Sequence, residues 1–224
     1  MSEPPAVALG ILNAEIAACR RCPRLRDYGA QVAEHKRAAF AEEDYWGRPV
    51  PGFGDAGATL VLIGLAPAAH GAHRTGRMFT GDRSGDFLFA ALHRAGYASQ
   101  PESRERGDGL RLHGAYLTAS ARCAPPGNRP LPVEFENCRD FLARELAQLV
   151  RARVLLSLGQ LAHQQVLRIF AARPAQHPFA HGAESQVGRY HLLASYHPSQ
   201  QNTFTGTLTP AMLDRVLARA RALG

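Results

Sequence analysis

The stretch TLVLIGLAPAAHGAHRTGRMFTGD, residues 59–82, is the part of the sequence that decides the fold. Its first six residues, 59–64, form a short apolar run that ends in glycine, which is typical of a strand buried in a sheet. A long loop over residues 65–83 follows, and Ser84 is a candidate N-cap for a helix over residues 85–95. The stretch therefore predicts a strand, a loop and a helix in succession.

The same alternation continues on both sides of this stretch. Residues 19–57 are the exception, because they are rich in Arg, Pro and Gly and are predicted to be mostly irregular. The other predicted strands are 115–119, 154–158 and 190–195. The other predicted helices are 7–18, 133–150, 159–170 and 209–223. In the last of these helices, Thr209 is the predicted N-cap and Pro210 stands at the first helical position. This order predicts an α/β fold with a central, mainly parallel four-stranded sheet and helices on both faces.

The length of 224 residues allows one large domain or two small ones, and we expect a single globular domain over residues 1–224. Hydrophobic residues make up 46% of the chain and charged residues 20%, and a chain of this size can bury roughly 70% of its apolar surface without disulfides. No run of 18 apolar residues is present, so we expect no membrane span. The first ten residues, MSEPPAVALG, have no basic region ahead of an apolar stretch, so we expect a cytoplasmic protein without a secretory signal. Without a heptad pattern, a monomer is expected.

The charge of the chain is positive, +7 at pH 7. A positive field attracts polyanions and speeds their encounter with the protein. Six basic residues against two acidic ones lie in the segment from Arg20 to Arg37. This segment is either a phosphate-binding face or a solvated basic surface, and charge alone leaves both interpretations open.

The chain contains four cysteines, Cys19 and Cys22 in a C-x-x-C pair, Cys123 and Cys138. Disulfides are not expected without a secretory signal. Zinc takes four thiolates but usually from two close pairs, whereas an iron–sulfur cluster tolerates irregular spacing. Four unrelated buried thiols are a further possibility, and spacing alone does not separate zinc from iron–sulfur.

Three predicted loops leave the carboxyl ends of strands, over residues 65–83, 119–132 and 196–208. Ligands bind at these ends of the strands in parallel α/β sheets, so the three loops indicate a site. The first loop is not a phosphate loop, because no Gly-Lys-Ser/Thr follows its glycines.

Three side chains in these loops are candidates for chemistry. Asp82 is a possible catalytic carboxylate, although an acid in a first helical turn also complements the helix dipole. Phe79 offers an aromatic face but is equally suited to the core. His197, with Ser199 and Asn202 nearby, suits polar recognition of a ligand or the shaping of a turn.

Four separated motifs carry a resemblance to a known family. They are the C-x-x-C pair, GLAPAAHG with RTGRMFTGD after the first predicted strand, LTASARCAPPGNRP around the third cysteine, and SYHPSQQNT after the last strand. In this order they resemble the uracil-DNA glycosylase superfamily, and most of all family 5, the type-b enzymes. The resemblance covers the chain from Cys19 to the final helix and implies a three-layer α/β/α sandwich.

The resemblance also implies a cofactor and a set of site residues. A four-iron, four-sulfur cluster would be held by Cys19, Cys22, Cys123 and Cys138, tying residues 19–57 to residues 119–138. The family's essential acid matches Asp82, its second-motif histidine matches His197, and its base-stacking aromatic matches Phe79. Base contacts are further expected from Gly64, Leu65, Ala66, His70 and Asn128, and DNA contacts from Arg74, Ser199, Gln200 and Asn202.

Two positions distinguish this chain from the related family 4, and one departs from family 5. Family 4 has an acid where this chain has Leu65 and an asparagine where it has Ala119, and family 5 is similar to this chain at both. His73 stands where the family-5 run H-G-x-N-R-T-G has asparagine. The absence of the two polar groups predicts a pocket of broader specificity.

The resemblance implies a DNA repair enzyme that flips a damaged nucleotide out of the helix and hydrolyses its N-glycosidic bond. The expected substrates are uracil and other deaminated or damaged bases in double- or single-stranded DNA of a prokaryotic nucleoid. No lysine nucleophile is apparent in the motifs, so a monofunctional enzyme is expected. The alternatives are a non-catalytic iron–sulfur or zinc protein that binds nucleic acid, and a redox protein.

Overall fold

Helices and strands alternate along residues 4–224, the part of the chain that this computed structural model describes. The helices are α1 (Pro5–Ala18), α2 (Pro23–Glu34), α3 (Ala72–Thr75), α4 (Arg83–Arg94), α5 (Pro132–Gln148), α6 (Gln160–Ile169), α7 (Gln200–Phe204) and α8 (Pro210–Leu223). The strands are β1 (Phe53–Gly54), β2 (Leu60–Gly64), β3 (Ala115–Ala119), β4 (Val154–Leu158), β5 (Glu184–Val187) and β6 (Tyr190–Ser195). The predicted domain starts at residue 1, and residues 1–3 lie outside the described part. Within residues 4–224, no helix combines the length and the apolar character needed to cross a membrane.

The sheet has six strands in the order β1-β3-β2-β4-β6-β5. The four central strands pair in parallel, while β1 and β5 pair antiparallel at the two edges. The predicted parallel sheet is confirmed, but the predicted number of four strands is wrong. Strand β1 has only two residues and β5 has the polar sequence ESQV, so neither forms the apolar run by which a buried strand is recognised.

Helices cover both faces of the sheet, which makes the fold the predicted α/β/α sandwich. Leu60 and Leu62 of β2 pack with α4 and α8 on one face. Val61 and Ile63 pack with α1, α5 and α6 on the other, because consecutive side chains of a strand point to opposite faces. All four are fully buried, and each such burial stabilises the fold by about 1.5–3 kcal/mol.

Helix α2 lies in the segment that the sequence predicts to be irregular, so that prediction is wrong for Pro23–Glu34. The helix begins with a proline, which is tolerated at the first position because the N–H it lacks would have no helical partner. Arg24 of this helix forms an ion pair of 2.8 Å with Glu134 of α5, which fastens the helix to the body of the protein. Its buried face consists of Leu25, Gly29 and Val32.

The carboxyl ends of the parallel strands meet at one edge of the sheet. Gly64 at the end of β2 is in register with Ala119 of β3, and Leu158 of β4 is in register with Ser195 of β6. The loops that follow β2, β3 and β6 therefore start from the same edge, and the short helices α3 and α7 lie within the first and the third of them.

Candidate active site

A cavity of about 40 Å³ lies where the loops after β2 and β6 meet. It adjoins a larger cleft of about 630 Å³, and Ala68, Asp82 and Ser84 line both. The structure thus brings together the three side chains that the sequence singles out for chemistry. The lining of the small cavity consists of Ala66, Ala68, Ala72, Met78, Phe79, Asp82, Ser84 and His197.

Asp82 is the N-cap of α4, and this position was predicted for Ser84, so that prediction is wrong. The backbone N–H of Gly85 donates to Oδ1 of Asp82 at 2.9 Å. The other oxygen, Oδ2, packs against Gly71. Burial raises the pKa of Asp82, and the backbone N–H groups of Gly85 and Ser84 lower it by less. The same carboxylate therefore caps a helix and presents a more basic group to the cavity.

Phe79 adopts a backbone conformation that is uncommon for an aromatic residue, with φ of +52°. Its ring packs against Gly64, where a β-carbon would lie only 2.8 Å from Cε2 of the ring. Its carbonyl oxygen packs against Gly85, which also has no room for a side chain. Strain of this kind costs about 1–3 kcal/mol and clusters at functional sites.

His197 follows β6 and faces Phe79, with ring centroids 5.8 Å apart and planes inclined by 33°. Burial lowers the pKa of His197 to about 4. The ring is therefore neutral near pH 7 and keeps one N–H to donate. Its β-carbon packs against Gly159, which has a φ of +98° that disfavours any other residue.

Two of the three residues after His197 that are predicted to contact DNA form hydrogen bonds within their own loop. The side-chain amide of Asn202 donates to the backbone carbonyl of His197 at 2.9 Å, so Asn202 holds the loop that carries the histidine. The hydroxyl of Ser199 accepts from the backbone N–H of Asn202 and caps α7. Gln200 is exposed and lines the larger cleft, the position that a contact to DNA requires.

The remaining predicted base-binding residues are divided between the cavity and the cleft. Ala66 lines the small cavity, and Gly64 lies against the Phe79 ring. Leu65 is half-buried and packs with Ala66 against the cluster formed by Ala121, Phe135 and Cys138. Leu65 thus connects the loop after β2 to one of the cysteines.

His70 and Asn128 both line the larger cleft. Nδ1 of His70 is 3.0 Å from the hydroxyl of Tyr45, and burial lowers the pKa of the His70 ring. Asn128 has a φ of +56°, a left-handed conformation that asparagine tolerates better than most residues. Both predicted residues therefore border the site, outside the small cavity.

Arg74 does not match its predicted role in DNA binding. Its side chain is buried and forms an ion pair with Glu43. Nε donates to the carbonyl of His70 at 2.8 Å and Nη2 to the carbonyl of Gly81 at 2.9 Å, while the guanidinium stacks on the ring of Phe40. A guanidinium with these partners fixes the loop between β2 and α4 and is not available to a phosphate.

Two other arginines, which the sequence did not single out, line the larger cleft. Arg37 lies at the end of the basic segment 20–37, and Arg83 directly follows Asp82. Arg83 is exposed and stacks over the ring of Phe204 on α7. The concentration of basic residues in the segment 20–37 is a sequence signal that could have pointed to Arg37. No sequence signal shows that Arg83 lines the cleft and Arg74 does not.

His73, the departure from the family-5 pattern, connects α3 to α2. Its ring is buried, and Nε2 is 3.0 Å from the carbonyl oxygen of Gly29. The ring lies so close to Gly29 that a β-carbon there would approach Cε1 to 2.7 Å. Burial lowers the pKa of His73, so a neutral ring joins the two helices.

The four cysteines are free thiols on neighbouring parts of the structure. Cys22 packs with Cys123, and the amide of Asn137 donates to the sulfur of Cys22 at 3.3 Å. Burial raises the pKa of Cys123 to about 12, and the nearby thiols of Cys138, Cys22 and Cys19 contribute. Within residues 4–224, however, no three His, Cys, Asp or Glu side chains are close enough together to hold a single metal ion.

Comparison with known proteins supports one family throughout the chain. The family model described as the uracil DNA glycosylase superfamily matches residues 51–221. The type-5 uracil-DNA glycosylase of Thermus thermophilus is 53% identical over 209 residues, 93% of this chain and 94% of that protein. The Mycobacterium leprae protein of the same name is 52% identical over 217 residues, 95% of this chain and 94% of that protein. The type-5 uracil-DNA glycosylase of Pyrobaculum aerophilum is 46% identical over 204 residues, 91% of this chain and 88% of that protein. The chain belongs to the uracil-DNA glycosylase superfamily, and within it to the type-5 family.

Proposed function

We propose that this protein removes uracil from DNA by hydrolysing the N-glycosidic bond of a nucleotide that has been flipped out of the helix. The observation that carries the proposal is the cavity in which Asp82, Phe79 and His197 meet. An acid, an aromatic face and a neutral hydrogen-bond donor around one cavity are what the release of a nucleobase needs. The similarity to proteins named type-5 uracil-DNA glycosylase gives independent support.

The reaction replaces the bond between C1′ and the base nitrogen by a bond between C1′ and a water oxygen. The base leaves with the electron pair of the broken bond, and the sugar passes through a cation-like state. The carboxylate of Asp82 stabilises this positive charge and accepts a proton from the attacking water. This proton then passes to the released base. The raised pKa of Asp82 suits this role, since a more basic carboxylate takes the proton more readily.

His197 and Phe79 act on the base in this proposal. The neutral ring of His197 donates its N–H to a base oxygen and offsets the negative charge that develops there. Phe79 stacks on the flipped base, an interaction worth about 1–3 kcal/mol. Because the Phe79 ring packs on Gly64 and beside His197, its position is defined before the base arrives.

A broad base specificity is part of the proposal. The lining of the small cavity includes alanines at positions 66, 68 and 72. At the end of β3, Ala119 is fully buried and carries no polar group, and Leu65 packs toward Phe135 and Cys138. A pocket with few side-chain hydrogen-bond partners discriminates weakly between bases, so hypoxanthine and damaged pyrimidines are proposed as further substrates.

A monofunctional reaction is proposed because the described residues that line the cavity and the cleft include no lysine. Lys36 is the single lysine of the sequence, and its amine donates to the carbonyl of Ala41 at 3.3 Å. A lyase step needs a covalent imine between an amine and the sugar. Trapping with borohydride should therefore yield no protein–DNA adduct, and an adduct would contradict this part of the proposal.

The four cysteines lie on neighbouring parts of the structure. Their thiols are near enough to one another to influence the pKa of Cys123, and three of them are buried. We propose that Cys19, Cys22, Cys123 and Cys138 hold a four-iron, four-sulfur cluster, which would join the segment before α2 to the loop before α5 and to α5 itself.

The surface around the site suits DNA as the partner. Arg37, Arg83 and Gln200 line the larger cleft, and the whole chain carries a charge of +7. Contacts of arginines with phosphates release counterions, so binding should weaken as salt rises. The protein is proposed to act as a monomer on uracil in both double- and single-stranded DNA.

The decisive experiment measures free base released from duplexes that contain uracil, hypoxanthine or a thymine mismatch. The wild type should release uracil, and Asp82→Asn should lose at least about 100-fold in rate while keeping its affinity for DNA. Asp140→Asn is the control, since Asp140 is exposed on α5 and pairs with Arg144. Unchanged base release by Asp82→Asn would remove Asp82 from the mechanism and leave it as a helix cap. No release of base by the wild type would favour a protein that binds nucleic acid without cleaving it.

A further inference from the structure

A loop outside the small cavity reaches the backbone that carries Phe79. This loop, residues 103–110, is closed around the carboxylate of Asp108. The carboxylate accepts from the backbone N–H groups of Arg104 at 2.9 Å, Glu105 at 3.3 Å and Leu110 at 3.0 Å. Three backbone donors on one carboxylate fix its position within the loop. We call residues 103–110 the bracing loop.

Arg77 connects the bracing loop to the segment that carries Phe79. Its guanidinium is buried, and Nη1 and Nη2 donate to the two oxygens of Asp108 at 2.8 and 2.6 Å. Nη2 also donates to the hydroxyl of Ser103 at 2.8 Å, and Nε donates to the hydroxyl of Thr80 at 2.9 Å. The planar fork of the guanidinium matches the carboxylate, so the pair has one defined geometry.

The bracing loop also holds the residues that directly follow Phe79. The hydroxyls of Thr80 and Ser103 are 2.6 Å apart, and the backbone N–H of Gly81 donates to the carbonyl of Ser103 at 3.0 Å. These two contacts anchor the chain immediately after Phe79, while Arg77 anchors it two residues before. The strained backbone of Phe79 is thus held from both sides.

An aromatic residue whose backbone is in the left-handed conformation needs such support. A strained conformation persists only where the surrounding structure over-determines it. Phe79 has a φ of +52°, and its ring position against Gly64 depends on that backbone conformation. The pair of Arg77 and Asp108 lies outside the small cavity, so any effect it has on the base must act through the segment it holds.

We propose that Arg77 and Asp108 are positioning residues that hold the ring of Phe79 in place to receive the flipped base, an inference that rests on the function proposed above. Arg77 remains paired because Asp108 stays ionised. Burial alone would raise the pKa of Asp108, but the Arg77 guanidinium and the backbone N–H groups of Leu110 and Arg104 outweigh it and hold that pKa well below its usual range.

The first test is Asp108→Asn, assayed by the single-turnover rate of uracil release at a temperature where the variant is folded. Misplacement of a group that receives the substrate should lower this rate between about 10- and 100-fold, with the affinity for uracil-free DNA unchanged. Asp214→Asn is the matched control, because Asp214 forms the same two-oxygen ion pair with Arg94 on the exposed surface. It should release uracil at the wild-type rate.

A double-mutant cycle with Phe79→Ala separates positioning from a merely structural role. If Asp108 acts through the ring, Asp108→Asn should change the rate less than about twofold once the ring is absent. An equal loss in the presence and absence of the ring would overturn the proposal, as would a folded Asp108→Asn with the wild-type rate. Should Asp108→Asn fail to fold, Ser103→Ala removes one contact of Thr80 and one of Arg77 while leaving the ion pair, and the same cycle applies.

Failure of the proposed function gives a different result from failure of this inference. If the wild type releases no base from uracil-containing DNA, the function is wrong, whatever the variants do. If Asp82→Asn abolishes release and Asp108→Asn does not affect it, the function stands and the inference is wrong. A crystal structure of Asp108→Asn with Phe79 still at its positive φ and against Gly64 would also overturn the inference.

Discussion

Oδ2 of Asp82 occupies the space that a β-carbon on Gly71 would fill. Gly71 has φ of −107° and ψ of −105°. Glycine at this position leaves room for the carboxylate, which approaches the chain more closely than any side chain at position 71 would allow.

The first prediction follows from this contact. Gly71→Ala should push the Asp82 carboxylate away from its position and reduce uracil release about 100-fold. The measurement is single-turnover base release by folded protein. Gly10→Ala is the control, because a β-carbon at Gly10 has no heavy atom within 4 Å, and it should release uracil like the wild type.

The second prediction concerns the pH profile. Asp82 must be ionised to act, so activity falls as the pH drops through its pKa. Because burial raises that pKa, the midpoint of the fall in activity at acidic pH should lie above the ordinary aspartate pKa of about 4. Asp86 also raises the pKa of Asp82, so Asp86→Asn should move this acidic limb of the pH profile to lower pH, measured at saturating DNA. Asp140→Asn should leave it in place, and a limb that Asp86→Asn does not move would refute this coupling.

The third prediction concerns the contact between α2 and α3. Replacing a helical glycine by alanine normally adds up to about 1 kcal/mol of stability. At Gly29 the added carbon would meet the buried ring of His73, so Gly29→Ala should instead lower the free energy of unfolding by about 1–3 kcal/mol. Gly10→Ala in α1 meets nothing within 4 Å and should stabilise the protein. Urea denaturation of both variants provides the measurement.

The fourth prediction concerns a fully buried ion pair. Arg122 donates to both oxygens of Glu145, and the hydroxyl of Thr118 donates to Oε2 at 2.7 Å. Glu145→Gln leaves the arginine charge buried without its partner and should cost about 3–5 kcal/mol of stability. The exposed pair of Arg94 and Asp214 should contribute no more than about 1 kcal/mol, as Asp214→Asn would show in the same denaturation series.

The fifth prediction tests the thiols. Protein purified under anaerobic conditions should contain iron and absorb broadly in the visible range. Cys22→Ser should lose the iron and unfold at a lower temperature, since the group that joins the start of α2 to Cys123 would be gone. Full retention of iron by this variant would remove Cys22 from the ligand set. Zinc in place of iron in the wild type would show that the cluster is wrong.

The central strands and the location of the site could be predicted from the sequence. Residues 154–158 and 190–195 are short apolar runs, and the structure has strands with these bounds. Thr209 caps α8 as predicted, with Pro210 as the first helical residue. The loops at the carboxyl edge of the sheet bring Asp82 and His197 together, because parallel strands end at the same edge.

Other features depend on contacts that no local pattern shows. Helix α2 escaped prediction because its Pro and Arg content obscures three buried positions that pack only in the folded protein. Arg74 and Arg83 are similar in sequence context, yet one is buried between carbonyl groups and the other faces the cleft. The choice of Asp82 over Ser84 as the N-cap depends on a hydrogen bond to Gly85 that spacing alone does not select.

The two edges of the sheet have a consequence for self-association. A long, flat edge strand offers backbone groups to which another chain can add, and aggregation begins in this way. Here one edge is only the two residues of β1, and the other is β5, whose Glu184 forms an ion pair with Arg219. The apolar central strands are therefore kept from contact with other molecules by short or charged borders, which protects the protein from aggregating as its concentration rises.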